Sequence, residues 1–202
     1  VAYASEAGTP LIADPGFQLG RAAIAANQTV LAAPGASAVL AALTVSGLPS
    51  DRFLFAGFLP TQTCARLKAL KELGDVPATL IFYESPKRIN RTLDEMVECW
   101  GGERAAVVCR ELTKRFEEVT RGSLADLVSA FDGRTPKGEI VVLVGRAVAT
   151  KLDAAGVEER LRMHLVSKSV KDAAADVAVE LNLPRRDVYQ LALQISKEGD
   201  DS

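Results

Sequence analysis

The sequence predicts an α/β fold closed by an all-helical tail, and three observations carry that reading. Short apolar runs alternate with helix-start signals from the first residue to about Val144; beyond Ala147 the pattern becomes purely helical. Of 202 residues, 48% are apolar against 25% charged, which is the composition of a folded globular chain. Alternation of strand and helix argues for a mainly parallel sheet.

Val1-Ala2-Tyr3-Ala4 reads as a strand that runs straight into the loop Ser5-Glu6-Ala7-Gly8-Thr9-Pro10, so the chain is expected to begin inside a domain. Asp14-Pro15-Gly16 reads as a helix start, with Asp as N-cap and Pro in the first turn. Phe17, Gly20 and Ile24 then share a face, and Asn27 closes the helix. Residues 28–33 form the next expected strand, bounded by Pro34-Gly35. An Ala-rich helix over 36–46 ends at Gly47, with Pro49 beyond it.

Residues 53–58 read as a strand, and a domain boundary is expected within 59–63. A helix over 64–73 and a strand over 79–83 follow. Ser85-Pro86 is expected to cap a helix whose inner face carries Ile89, Leu93, Met96, Val97 and Trp100. Next come a strand over 105–109, a charged segment, and an antiparallel strand over 116–120. Ser123 caps a short helix to Phe131, and residues 139–144 are apolar enough for a strand buried on both faces. In the tail, helices are expected near 156–166, 170–181 and 185–195. Asn182-Leu183-Pro184 joins the last two at a length that suits a helix-turn-helix.

Charge and composition exclude several classes. With 24 basic and 26 acidic residues the net charge is −2, so any nucleic-acid contact must be a local patch. Cys64, Cys99 and Cys109 have no histidine partner at metal-ligand spacing, and the single His164 lies on an apolar helix face; buried thiols and a structural histidine are expected, with no metal. Residues 36–48, the longest nearly apolar run, fall short of the roughly 20 needed for a membrane span, so a cytoplasmic chain is expected.

Ligands of open α/β sheets bind beyond the carboxyl ends of strands, which directs attention to four loops. Ser5 to Pro10 has small residues around Gly8 that admit a ligand to the backbone, although it serves equally as a plain turn. Pro34-Gly35-Ala36-Ser37-Ala38 leads into a helix N-terminus with free N–H groups, or simply packs closely. Glu84-Ser85-Pro86-Lys87-Arg88 opens a helix that carries Lys87, Arg88 and Arg91 in its first turns, against the helix dipole; a bound anion would relieve them, as would a pairing of Arg91 with Glu95. Arg110-Glu111-Leu112-Thr113-Lys114 packs several ionisable groups at one strand end, as a site or as a charged hairpin. No phosphate-binding glycine motif of the P-loop or dinucleotide kind occurs.

The ordered runs Ser5-Glu6-Ala7-Gly8-Thr9-Pro10-Leu11-Ile12-Ala13-Asp14-Pro15-Gly16, Pro34-Gly35-Ala36-Ser37-Ala38, Gly57-Phe58-Leu59-Pro60, Leu80-Ile81-Phe82-Tyr83-Glu84-Ser85, Arg110-Glu111-Leu112-Thr113-Lys114 and Lys137-Gly138-Glu139 resemble the ribosomal RNA small subunit methyltransferase I family, within the tetrapyrrole-methylase superfamily. The resemblance implies two α/β domains plus a small helical C-terminal domain, here 1–60 (truncated at its N-terminus), 61–147 and 148–202. It implies S-adenosylmethionine as cofactor, held by Ser5, Glu6, Ala7, Gly8, Thr9, Pro10, Ser37, Ala38, Phe82, Tyr83, Gly138 and Glu139. It further implies a homodimer that methylates the ribose 2′-hydroxyl of a P-site cytidine in 16S rRNA within the small ribosomal subunit. Two departures from the family pattern stand out: Glu6 replaces an Asp, and the family's earlier Pro-Thr-Pro-Ile-Gly-Asn-Leu segment has no counterpart.

A base must take the hydroxyl proton, and Glu6, Glu84, Glu111 and Lys114 all follow strands. Glu84 or Glu111 is the expected base, with Lys114 and Arg110 on RNA phosphate and Lys87, Arg88, Arg91, Arg185 and Arg186 as further RNA contacts. The rival readings are a methyltransferase of tetrapyrrole precursors, a ligand-sensing nucleic-acid-binding regulator, and an inactive fragment.

Overall fold

The structure is a computed structural model that describes residues 1–147, 154–181 and 183–200. These fall into two compact units, Val1–Ala147 and Val148–Ser202. In the first, α1 (Phe17–Ala25) and α2 (Ala38–Ser46) precede β1 (Phe53–Phe58), α3 (Thr63–Leu73), β2 (Thr79–Glu84) and α4 (Ile89–Trp100). The unit continues with β3 (Ala105–Arg110), β4 (Glu118–Ser123), α5 (Leu124–Phe131) and β5 (Ile140–Val144).

The five strands among the described residues form one sheet in the order β1-β2-β5-β3-β4. Only β1 and β2 are parallel; β5 is antiparallel to both β2 and β3, and β3 pairs with β4 as a hairpin. The expected mainly parallel sheet is therefore corrected to a mixed one. An apolar strand is the signature of burial on both faces, and β5 is buried at every position while running against its neighbours. The boundary expected near residue 60 does not divide the sheet, because β1 before it pairs with β2 beyond it.

Period-2 alternation assigns the side chains to two faces. Leu80, Phe82, Ala106, Val108, Ile140, Val142 and Val144 pack with Leu70, Leu93, Met96, Leu124 and Phe131 from α3, α4 and α5. Ile81, Val107, Cys109, Val141 and Leu143 face Val39, Ala42 and Leu43 of α2. Ser123 caps α5 as expected, accepting from the Asp126 N–H at 3.1 Å while the Asp126 carboxylate accepts from the Ser123 N–H at 2.9 Å.

The strands expected at 1–4 and 28–33 do not form. Both segments are exposed and have no ladder partner among the described residues, and strand propensity without a pairing edge does not make a strand. Asp14 does not cap α1, which starts after Gly16. Gly16 lies at φ +117 against the Tyr3 ring, leaving no room for a side chain. Cysteines are mixed: Cys109 is buried but Cys64 is exposed.

The second unit holds α6 (Ala154–Leu165), α7 (Val170–Glu180) and α8 (Arg185–Asp200) around Leu161, Ala174, Val177, Val188, Ala192 and Ile195. Ser169 caps α7 by accepting from the Asp172 N–H at 3.2 Å. His164 is half-buried and faces Asp176 at 3.9 Å and Glu180 at 3.6 Å within the helical unit. Asn182 of the expected turn lies outside the described residues.

Candidate functional site

The strand register decides where the site sits. Phe58 is level with Tyr83, and Glu84 and Arg110 are both level with Ile140, so β1, β2 and β3 end where β5 begins. Beyond that edge lies a cavity of about 680 Å³, within the usual span for small-molecule sites. Its wall combines Ser5 to Thr9, Ser37, Ala38, Tyr83, Gly138 and Glu139 with Tyr3, Asp14 and Phe58.

Small residues shape the first loop. The Ser5 hydroxyl donates to the Gly8 carbonyl at 3.1 Å, Gly8 takes φ +69, and the Thr9 hydroxyl donates to Ala36 O at 3.1 Å. This last bond ties the first loop to the second, across 27 residues. Tyr83, also in the lining, meets Phe55 and Phe58 edge to face at 4.8 and 5.6 Å. Burial, and then the Glu139 carboxylate, push the Tyr83 phenol upward.

Two of the expected cofactor residues are placed elsewhere. Phe82 is 1% exposed and points to the α4 face, as alternation from Tyr83 requires. Pro10 does not line the cavity. Phe58 is a residue that sequence reasoning left out of the site, although its position at the end of a strand was a usable signal.

Glu84 lines the cavity, but its carboxylate is engaged by the chain's own donors. Its carboxylate accepts from the Ser85 N–H at 2.6 Å, Arg88 Nε at 2.8 Å and the Thr92 hydroxyl at 2.7 Å, and its side chain is 1% exposed. The chain itself thus supplies an anion to two of the cations at this helix N-terminus, Glu84 to Arg88 and Glu95 to Arg91. The cap is also corrected: α4 begins at Ile89, after a turn held by Ser85 O.

Glu111 and Lys114 are likewise occupied. Glu111 accepts from the Glu139 N–H at 2.9 Å and from Lys114 Nζ at 2.9 Å, and these two partners, in that order, hold its carboxyl below the ordinary value. Lys114 bridges onward to Glu139 Oε2 at 3.0 Å; Glu111 and Glu139 hold its ammonium above the ordinary value. Glu111 at φ 50 and Thr113 at φ 64 both sit in the left-handed region, a cost of order 1–3 kcal/mol each that other contacts must offset.

The expected RNA contacts divide. Arg88 pairs with Glu84 and also reaches Leu59 O at 3.3 Å. Arg110 is held by Glu118 at 3.0 Å and by Lys137 O at 3.2 Å. Arg91 pairs with Glu95 at 3.1 Å and reaches the Thr63 hydroxyl. Lys87 is exposed beside the cavity loop, and Arg185 and Arg186 are exposed at the start of α8.

The profile of the tetrapyrrole (corrin/porphyrin) methylases matches residues 1–128. The chain belongs to the tetrapyrrole methylase family. A second profile, the RsmI C-terminal HTH domain, matches residues 151–196 of this methylase. Ribosomal RNA small subunit methyltransferase I of Mesorhizobium japonicum is 48% identical over 99% of this chain and 69% of its own length. The protein of the same name from Xylella fastidiosa is 47% identical over 94% and 70%. Among solved structures, the methyltransferase CobJ superposes with a TM-score of 0.53 at 23% identity, over 69% of this chain and 62% of that one. This methylase chain therefore spans less than two thirds of that solved relative, and the likeness shows a shared fold. The resemblance read from the ordered loops is borne out.

Proposed function

We propose that this protein transfers a methyl group from S-adenosylmethionine to the ribose 2′-hydroxyl of a P-site cytidine in 16S rRNA, acting on the small ribosomal subunit as a cytoplasmic homodimer. The observation that carries this reading is the joint presence of a methylase profile over the cavity-bearing unit and an RsmI-type helical domain over the tail. No helix among the described residues is long and apolar enough to cross a membrane.

The cavity fits the donor. Its volume suits a nucleoside-sized ligand, the small residues Ser5, Ala7 and Gly8 line its wall, and Glu6 and Glu139 line it as carboxylates for a cationic or hydroxyl-bearing ligand. S-adenosylmethionine supplies an electrophilic methyl group on a sulfonium centre. Ser5 to Thr9, Ser37, Ala38, Tyr83, Gly138 and Glu139 would hold it. The protein's main contribution is to keep the ribose oxygen in line and in near contact. With Glu84 and Glu111 committed to structural partners, the proton passes to Glu6, which lines the cavity on an exposed loop. Lys87, Arg185 and Arg186 hold phosphate.

The test is methyl transfer to small subunits purified from a strain lacking the gene. Label recovered as 2′-O-methylcytidine at one P-site position is the expected result. Transfer to a porphyrinoid, or none to the subunit, overturns the reading. Glu6→Gln should lower kcat at least about 100-fold.

A further inference from the structure

The contacts of Glu111 bind it to the loop that builds the cavity wall. Because Arg110 is level with Ile140, the next residues outward, Glu111 and Glu139, extend the ladder past the ends of β3 and β5. The Glu111 N–H donates to the Glu139 carbonyl at 2.9 Å. Glu139 N–H donates back to the Glu111 side chain, at 2.9 Å, so both backbone groups of Glu139 are held by one residue. Lys114 Nζ closes the arrangement, 2.9 Å from Glu111 Oε1 and 3.0 Å from Glu139 Oε2.

Local conformation makes this reach attainable. A left-handed φ of 50 at Glu111 turns its side chain toward the loop, and its carboxyl group occupies the space where a Cβ on residue 138 would stand. Gly138, at φ +97, is the residue that leaves this space free. Glu111 does not itself line the cavity, whereas Gly138 and Glu139 do.

The geometry points to Glu111 as a positioning residue for the methyl-donor site, holding the Gly138-Glu139 backbone in the cavity wall while Lys114 ties down the Glu139 side chain. This inference rests on the proposed reading of the cavity as the S-adenosylmethionine site. A glycine-containing loop loses much conformational freedom on ordering, and bonds to an ionised carboxylate are the stronger kind with which to order it.

Calorimetric S-adenosylmethionine binding and steady-state methyl transfer with the intact protein test it. Glu111→Ala is expected to weaken binding about tenfold and to raise the donor KM in step, with kcat falling by less than about threefold. Glu111→Gln keeps an oxygen acceptor for the Glu139 N–H and should lose only about threefold in binding. Gly138→Ala, which displaces the carboxyl group, should reproduce the loss seen in Glu111→Ala. If Glu111→Gln binds the donor as wild type but loses about 100-fold in kcat, the carboxylate acts in the chemistry and the inference fails. It fails also if the Glu111 and Gly138 variants all match wild type in binding. A wild-type protein that binds no S-adenosylmethionine overturns the proposed function itself, a result distinct from any confined to the variants.

Discussion

Arg66 of α3 and Glu95 of α4 meet as a two-pronged ion pair beside the core, Nη2 donating to Oε1 at 2.7 Å and Nε to Oε2. Arg66 is 1% exposed and Glu95 7%. The other Arg66 amine donates to the Pro60 and Thr61 carbonyls at 3.0 and 2.9 Å, so one guanidinium joins both helices to the segment that follows β1.

Removing one member of this pair leaves the other charged and buried. Glu95→Ala should destabilise the fold by roughly 3–5 kcal/mol, measured by urea denaturation. The pair also confers acid sensitivity. Arg66, first among its partners, holds the Glu95 carboxyl below its ordinary value of 4.5. A lowered folded pKa gives stability that is complete above that ordinary value and is lost as pH falls through the folded one. Wild type should therefore lose stability in acid more steeply than a Glu95→Gln variant.

Glu84 offers a contrast between structure and chemistry. Glu84→Ala would leave the Ser85 N–H, Arg88 and Thr92 without their shared acceptor, so a loss of roughly 3–5 kcal/mol in unfolding free energy is expected. Thr92→Val removes a single bond and should cost about 1 kcal/mol. Full stability of Glu84→Ala together with abolished turnover would restore Glu84 as the base.

The thiols should differ sharply in reactivity. Burial pushes the Cys109 thiol up to about 11, leaving about one thiolate in a thousand at pH 8. Cys64 is exposed. Peptide mapping by mass spectrometry after brief iodoacetamide treatment should find the first adduct on Cys64, with Cys109 modified only after denaturation.

Arg185 and Arg186 lie exposed on α8 in the helical unit. Replacing both with Glu should weaken small-subunit binding and make its salt dependence shallower by about 1 per lost phosphate contact, with donor affinity unchanged. A change in donor affinity would place them in the wrong site.

Much of the fold was legible because burial leaves a periodic trace. The strands over 53–58, 79–84, 105–110 and 140–144 and the eight helices among the described residues fall close to their expected spans. Strand direction leaves no such trace: β5 has the apolar run of a parallel strand yet is antiparallel. The expected strands at 1–4 and 28–33 show the other limit, since pairing is a long-range event. The site's outline was readable from loops after strands, but roles were not. Glu84, Glu111 and Lys114 stood out as ionisable groups at strand ends. Sequence spacing announces the Glu84–Arg88 pair at i+4 and the Glu111–Lys114 pair at i+3, but not the Thr92 hydroxyl on Glu84 or the Glu139 contacts, which cross from other parts of the chain.

The position of β5 has a consequence for the order of events during synthesis. The strand emerging last from the ribosome occupies the middle of the sheet, between β2 and β3. Until residues 140–144 are available, β2 and β3 each lack a hydrogen-bonded neighbour on their inner edges. Nascent chains halted before Ile140 should thus remain protease-sensitive, while those extended past Val144 become protected together. The same segment brings Gly138 and Glu139 to the cavity, so the sheet closes and the ligand wall is completed in a single late step.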